Sequence, residues 1–600
     1  MPQAEGGPLI NAGLIDARAL VSKLSLEELR EAAENYFARL ESWDYHLAKP
    51  FGAPHEAPIP LQHYTQVLAG LGLVPGMRVL DFGAGSCWNA RFLPTDGYGI
   101  VNPLWSTSGW GPAALAGLSA ANANEMRGIS MRITYGISGG MTSEHMRRIH
   151  DTALRILDEI GFQVRTSELP ETELFERLSA HEGVRIRGRR LCFAPHLVER
   201  CLAQYRERLR QTSTDSDGPL VIRVLSHAFH VLDSETDGLR PCTTRDLIEF
   251  TRLSNTFSDE GLLGGCPGFP CDVPPGRQGA AQYRIGCEYS RTRPVATPGS
   301  TAEADLIYEM AQIMGYASRD AYSVGVHPVS PLRLKGNEFD IAIHLWKKLG
   351  NRLAVSAGPM PILGVTAPVF YPGAFAQAIA EALGCFVFFS LLVGGVTEFW
   401  FNCYAFDMRH GSFVYGGPED VLIALMRNQL NQWYGLPNTF ADKALNTMAH
   451  ALDAHAAAEK AAKSVVALLA GARMLAYAGA LSLDETFSCE QLVVDMEIVR
   501  WAKRVAAGFE FDDMTLGFDV ISEVVKQGGD FLSHDSTLTH FQDTLWSPHL
   551  FEHQMRERWQ SQGGRTLRER AHAMVRERLS REDYHIPDAT RNALNGVFSL

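Results

Sequence analysis

RLAVSAG (residues 352–358), followed by PGAFAQAIAEALGCFVFF (residues 372–389), sets the fold class. The first segment is a short apolar run closed by a glycine, the signature of a buried strand. The second is a long apolar run that predicts a helix. The pattern repeats in TEFWFNCYAF (residues 397–406), a β-rich run ahead of a helix opened by Pro418 and Glu419. Such β-then-α units over roughly 450 residues favour a parallel α/β architecture, and a (β/α)8 TIM-type barrel fits the size best. An open doubly wound sheet is the fold alternative.

Working outward, a helix starts at Thr142 or Ser143, with Ile149, Ala153, Ile156, Leu157 and Ile160 on one face and Gly161 as its stop. Residues 141–600 are therefore read as the barrel and 106–140, rich in Gly, Ala, Ser and Asn, as a linker. Residues 1–105 open with a helix whose capping box is Ser25 and Glu28. Then comes MRVLDFGAGSCWNARFL (residues 77–93), a short strand ending at Asp81 and a Gly-x-Gly turn. Gly83 and Gly85 would let the backbone pass close to a nucleoside. The candidate second strand, GYGIVNPLW (residues 97–105), places Leu104 where a ribose-binding acid would fall. The module, a partial Rossmann-like extension, therefore reads as truncated and vestigial.

The chain has 600 residues, 46% hydrophobic and 20% charged, which is the composition of a soluble globular protein. A net charge of −13 argues against a nucleic-acid binder. Residues 565–581 interleave Arg with Glu and read as a solvated helix face. Ten scattered cysteines without a CxxC pair, and no signal-peptide pattern, suggest reduced thiols and a cytoplasmic location. CPGFPC (residues 266–271) reads as a Pro/Gly loop, not as a redox motif. The most apolar run, between Glu381 and Glu398, is too short to span a bilayer.

Candidate chemistry concentrates in three segments: DAHAAAEKAAKSVVALLAGARML (residues 453–475), TFSCEQLVVDMEI (486–498) and GGDFLSHDSTLTH (528–540). Buried helices seldom carry Asp, Glu and His unless these are paired or working. His450, Asp453, His455 and Glu490 are the catalytic candidates. Asp453 is equally well an N-cap, and Glu490 a first-turn acid favoured by the helix dipole. Asp495 and Glu497 lie on the same helix. His534 and His540 follow the Gly528-Gly529 turn, and no zinc-ligand spacing is present, so no metal is expected.

These segments, together with MTSEHMRRIHDTALRILDEIGF (141–162), GLRPCTTRDL (238–247), HPVSPL (327–332), GPMPILGVTAPV (358–369), GGPEDV (416–421) and YGLP (434–437), resemble the trimethylamine methyltransferase family. The resemblance implies a barrel that passes a methyl group from an amine to the Co(I) corrinoid (cobalamin) of a partner protein. No Asp-x-His-x-x-Gly corrinoid-binding stretch is found in the chain itself. Family members often carry Asn-Pro-Gly where this chain has Val393, Gly394 and Gly395, and Gln where it has His455. Trimethylamine enzymes carry pyrrolysine just before the residue matching Asp453. Here that position aligns with His450, to within a few residues.

The absence of that electrophile bears on the substrate. A tertiary amine must become cationic before it can leave, whereas a quaternary ammonium already has a neutral amine as leaving group. A chain without pyrrolysine is therefore expected to use a quaternary amine such as a betaine, held by an aromatic cage. Tyr371, Phe399, Trp400, Phe401, Tyr404 and Trp433 are the cage candidates, with Tyr371 and Trp400 preferred. Phe399 and Phe401 share one strand face and Trp400 the other, so both sets cannot look into one barrel. Thr366 and His534 join the substrate-binding candidates, and a homo-oligomer is compatible with the sequence.

Two other readings stand beside this one. MRVLDFGAGSC resembles the first motif of class I methyltransferases, which implies S-adenosylmethionine at Asp81, Gly83 and Gly85. Alternatively, the barrel is degenerate and serves as a binding subunit.

Overall fold

The computed structural model describes residues 78–80, 99–101 and 131–600, apart from 213–218, 317–322, 395–396 and 437–443. The chain divides into two compact units, Met1–Ile129 and Ser130–Leu600. In the first, strands Arg78–Leu80 and Gly99–Val101 pair in parallel, with Val79 opposite Ile100. Asp81, Gly83 and Gly85 lie outside the described residues.

The second unit is mixed α/β. Six of its strands form two parallel sheets: β1 (Val221–Val224), β2 (Leu262–Leu263), β3 (Ser323–Val326), β4 (Ala354–Ala357), β5 (Thr397–Phe399) and β6 (Met474–Ala478). The orders are β2-β1-β6 and β3-β4-β5, so the last of these strands pairs with the first. Residues 444–447 run beside β6, with the Leu445 N–H donating to Ala476 O at 3.2 Å.

Eight helices alternate with these strands and with two coil segments. They are α1 (Thr244–Asn255), α2 (Gln278–Tyr289), α3 (Thr301–Ile313), α4 (Asn337–Leu349), α5 (Tyr371–Val393), α6 (Pro418–Tyr434), α7 (Ala454–Leu469) and α8 (Cys489–Ala507). A ninth, α9 (Leu567–Arg581), packs on α8. The helix at residues 143–155 starts on a capping box at Thr142, and the turn that follows it ends at Gly161, whose φ is +71°.

Burial alternates along the strands with the two-residue period of a sheet. Val324, Val326, Val355, Ala357, Thr397 and Phe399 are buried, whereas Ser323, Gly325 and Glu398 are exposed. Those apolar residues share one core with α4, α5 and α6, while Ile222, Leu262 and Leu475 share a second with α1, α8 and α9.

The apolar run ahead of Glu398 is the distal part of α5, a 23-residue helix long and apolar enough to cross a membrane. It is longer than the run itself suggests, because Tyr371–Ala382 continue it. Burial against the core accounts for its composition: 78% of its most apolar window is inside the protein.

Glu381 sits in the middle of α5, fully buried. It accepts hydrogen bonds from Ser330 Oγ (2.6 Å), Leu332 N (2.8 Å) and Gln377 Nε2 (3.0 Å), anchoring the loop after β3. Burial outweighs these bonds and pushes its pKa from 4.5 up to about 7. Between those values the folded chain keeps a proton that the unfolded chain has lost. Stability should therefore fall as pH rises from about 4.5 to 7, by about 3 kcal/mol, and level off above. Urea titrations of Glu381→Gln should lose most of that slope; an unchanged slope would remove Glu381 as its source.

Candidate functional site

In parallel α/β sheets, ligands bind at the carboxyl ends of the strands. The residues directly after β3, β4 and β5 are His327, Gly358 and Trp400. Trp400 extends the ladder, its N–H donating to Ala357 O at 2.9 Å. Its indole lies on Gly358 so closely that a β-carbon there would overlap Cε2, Cζ2 and Nε1. His327 meets Trp400 edge-on, with ring centroids 5.6 Å apart. Glu338, in the first turn of α4, fixes that histidine: Oε2 accepts the His327 backbone N–H at 2.8 Å and pairs with Nδ1 at 2.7 Å. The bond leaves Nε2 of the ring for other partners.

An open cavity of about 470 Å³ adjoins this group, lined by His327, Val329, Lys335, Met360, Ile362 and Thr366. Thr366 shapes its wall, since Oγ1 accepts from Ile362 N (2.9 Å) while its carbonyl accepts from Gln377 Nε2 (2.7 Å). Lys335 is exposed and has no carboxylate partner among the described residues. At the ends of β1 and β2 a second aromatic group forms. Phe229 stacks on Phe269 (5.2 Å, 30°), with His227 at 6.4 Å from Phe269.

The structure separates the predicted cage. Phe399 is fully buried against Tyr205, Phe386 and Tyr434, on the helix side of β5. Phe401 points the same way, packing on Phe375 and Tyr434. Trp433 lies on α6 against His150 and Tyr434, and Tyr404 is buried beside Phe413 and Tyr415. Tyr371 heads α5, half-buried against the core, and burial followed by nearby Glu419 raises its phenol pKa. Phe399 and Trp433 thus leave the cage, because their strand and helix faces supply core.

The acid–histidine stretch is mostly paired. Asp453 is the N-cap of α7, accepting from His455 N (2.9 Å) and Ala456 N (3.1 Å). The exposed His455 pairs with Glu459 at 2.9 Å, and Glu459 in turn accepts from Thr447 Oγ1 (2.6 Å) and Met448 N (3.0 Å). Glu490 is buried and pairs with His572 of α9 at 2.9 Å. Glu497 takes three backbone N–H groups, from His549, Leu550 and Phe551. Lys460 and Asp495, both fully buried, pair at 2.7 Å. His534 caps Asp535–Thr544 through Nδ1, which accepts from Ser536 N at 3.1 Å.

His450 differs from these. It is exposed, with Nδ1 at 2.8 Å from Ser482 Oγ. Ser482, Leu483 and Tyr477 all have positive φ (50°, 70° and 76°), a concentration of strain at the end of β6 and just after it that residues 447–450 brace through Leu483 N to Thr447 O (2.9 Å) and Ser482 N to Ala449 O (2.8 Å). Nearby in sequence, Asn446 is buried with neither side-chain amide atom hydrogen-bonded. Among the described residues, no group of three or more His, Cys, Asp or Glu is placed to hold a metal ion.

The sequence pattern of trimethylamine methyltransferases matches residues 114–598. The chain belongs to the trimethylamine methyltransferase family. It is 24% identical over 456 residues to a trimethylamine methyltransferase of Desulfitobacterium hafniense, covering 73% of this chain and 88% of that protein. A glycine betaine methyltransferase of Desulfitobacterium hafniense (strain Y51) is 25% identical over 447 residues, 72% of this chain and 90% of its own length. A trimethylamine methyltransferase of Methanosarcina thermophila is 31% identical over 258 residues, 42% of this chain and 51% of its own. The family and these relatives are methyltransferases. Two segments of the family resemblance, HPVSPL and GPMPILGVTAPV, begin at His327 and Gly358, so they carry much of the cavity just described.

Sequence reasoning passed over His327, Gly358, Lys335 and the Phe229–Phe269 pair. Position directly after an apolar strand was the available signal for the first two. Nothing local marked the others.

Proposed function

We propose that this chain moves a methyl group from a quaternary amine bearing a carboxylate, of the betaine kind, to the Co(I) corrinoid of a partner protein. The observation that carries the reading is the Trp400 indole, laid on Gly358 beside His327 at the strand ends and next to an open cavity. An indole face attracts a quaternary ammonium, and more strongly once water is excluded. Lys335, without a carboxylate partner among the described residues, supplies a counter-charge for the substrate carboxylate. His450, beside the strained loop, is the proposed residue for holding or donating a proton. Asp453 and His455 position it by fixing the start of α7.

In this reading β2-β1-β6 and β3-β4-β5 are arcs of one (β/α)8 barrel spanning residues 141–600, with residues 293–297 and 444–447 in the two remaining strand places. The pairing of β6 with β1 and the eight alternating helices support it. The corrinoid supplies the nucleophile that accepts the methyl group. The face suits a partner that presents a large flat macrocycle, because Val329, Met360, Val365, Val369 and Phe370 are exposed there, from 37% to 77%. What the protein itself does is hold the ammonium, aim one methyl group outward and limit water. S-adenosylmethionine binding at Asp81, Gly83 and Gly85 falls outside the described residues, and no described feature favours it.

The test offers the protein free Co(I) cobalamin with a panel of betaines, carnitine and trimethylamine, and follows demethylation of the amine by NMR. A betaine or carnitine should be consumed, and Trp400→Ala should weaken its binding by roughly tenfold or more in calorimetry. Consumption of trimethylamine alone would sink the leaving-group argument.

A further inference from the structure

We propose that Cys242 and Cys271 form a peroxide-sensitive thiol pair that closes into a reversible disulfide. The Cys271 N–H donates to Cys242 O at 2.8 Å. That bond lays the two residues side by side on neighbouring segments, the close backbone approach that a disulfide needs. The sulfurs converge as well. Cys242 Sγ donates to Phe269 O at 3.1 Å, and Cys271 Sγ lies 3.9 Å from the same oxygen. Cys271 Sγ is also 3.3 Å from Phe229 O, which accepts the Cys242 N–H at 2.9 Å. The two thiols thus share the Phe269 carbonyl as a neighbour.

The pair is asymmetric in the way a two-step oxidation requires. Cys271 is exposed and Cys242 is fully buried. Burial raises the Cys242 pKa beyond the ordinary thiol range, so the buried sulfur does not react first. Cys266 is close by but buried, with its thiol on Gly268 O at 3.4 Å. None of the three belongs to a group of ligands able to hold a metal ion among the described residues.

The chemistry balances with a peroxide as oxidant. The Cys271 thiolate attacks one peroxide oxygen, the O–O bond breaks, and one water leaves with Cys271 as its sulfenic acid. The Cys242 thiol then attacks that sulfur, giving up its proton as the S–O bond breaks and a second water departs. Two thiols lose two electrons and two protons, and hydrogen peroxide becomes two waters. The product ties the loop after β2 to Cys242, two residues ahead of α1. That loop carries Phe269, so the bridge holds the Phe229–Phe269 stack at the strand ends.

The full chain, first reduced, is treated with hydrogen peroxide, then alkylated under denaturing conditions and digested for mass spectrometry. The expected product is a Cys242–Cys271 cross-linked peptide lacking two hydrogens, with Cys266 alkylated and the link undone by dithiothreitol. Cys271→Ser, a surface change, should abolish the link and leave Cys242 fully alkylated, while Cys266→Ser should keep it. Three results would overturn the proposal: a link to Cys266, a link formed only between chains, or Cys271 oxidised to its sulfinic acid while Cys242 stays free.

Discussion

Lys460→Met is expected to destabilise the second unit by roughly 3–5 kcal/mol, the usual cost of stranding one partner of a buried ion pair. Lys460 and Asp495 are both wholly inside the protein, on the packed helices α7 and α8. The Lys460 ammonium donates to Asp495 Oδ2 and to Ala480 O, each at 2.7 Å. Asp495 also takes the Gly479 N–H and Gln491 Nε2, both at 2.7 Å. Burial presses the lysine pKa down and the aspartate pKa up, and mutual attraction opposes both shifts. With the ammonium gone, the carboxylate must stay charged without its partner or take up a proton and surrender acceptor sites. Urea unfolding monitored by circular dichroism measures the cost. The double variant Lys460→Met/Asp495→Leu should recover part of it, since removing both charges removes the desolvation problem. A single variant within about 1 kcal/mol of the parent would show that the pair is not holding α7 to α8.

Gly358→Ala is expected to reduce turnover by on the order of a hundredfold with little change in overall fold, because it evicts the Trp400 ring. The added methyl group would overlap three indole atoms, and the backbone there is fixed by the Gly358 N–H bond to Val326 O at 3.0 Å. The ring must therefore swing away, taking its edge contact with His327 along. Tryptophan fluorescence should change while the far-ultraviolet spectrum does not. The cycle with Trp400→Ala separates the roles: once the indole is gone, the alanine at 358 should cost little more, giving strong coupling between the two sites. Additive losses would mean that Gly358 matters for something other than seating Trp400.

The strand–helix units around residues 352–358 and 397–399 were legible because burial alternates by local rules: every second strand residue meets the helices, whatever those helices are. The same alternation put Trp400 on the opposite face from Phe399 and Phe401. It did not say which face meets the core. That was decided by Tyr205, Phe386 and Tyr434, residues remote in sequence from one another, packing on Phe399. The apolar run before Glu398 reads as too short to span a bilayer, yet the helix that carries it is longer, because Tyr371–Ala382 extend it and burial against the core accounts for its composition.

The acids and histidines of residues 450–540 divide along the same line. Asp453 as a cap was open to a sequence reading, since a cap depends only on the next two or three residues. Glu490 was not, because His572 reaches it from 82 positions away. By itself, then, the sequence determined family membership, the parallel α/β pattern and the absence of pyrrolysine, all of which live in local order and residue identity. The tertiary structure alone decided that most of this polar stretch is paired and that Trp400, Gly358 and His327 share one strand-end site. Partners for buried charge, and the face an aromatic ring presents, are set by elements brought together only when the chain folds.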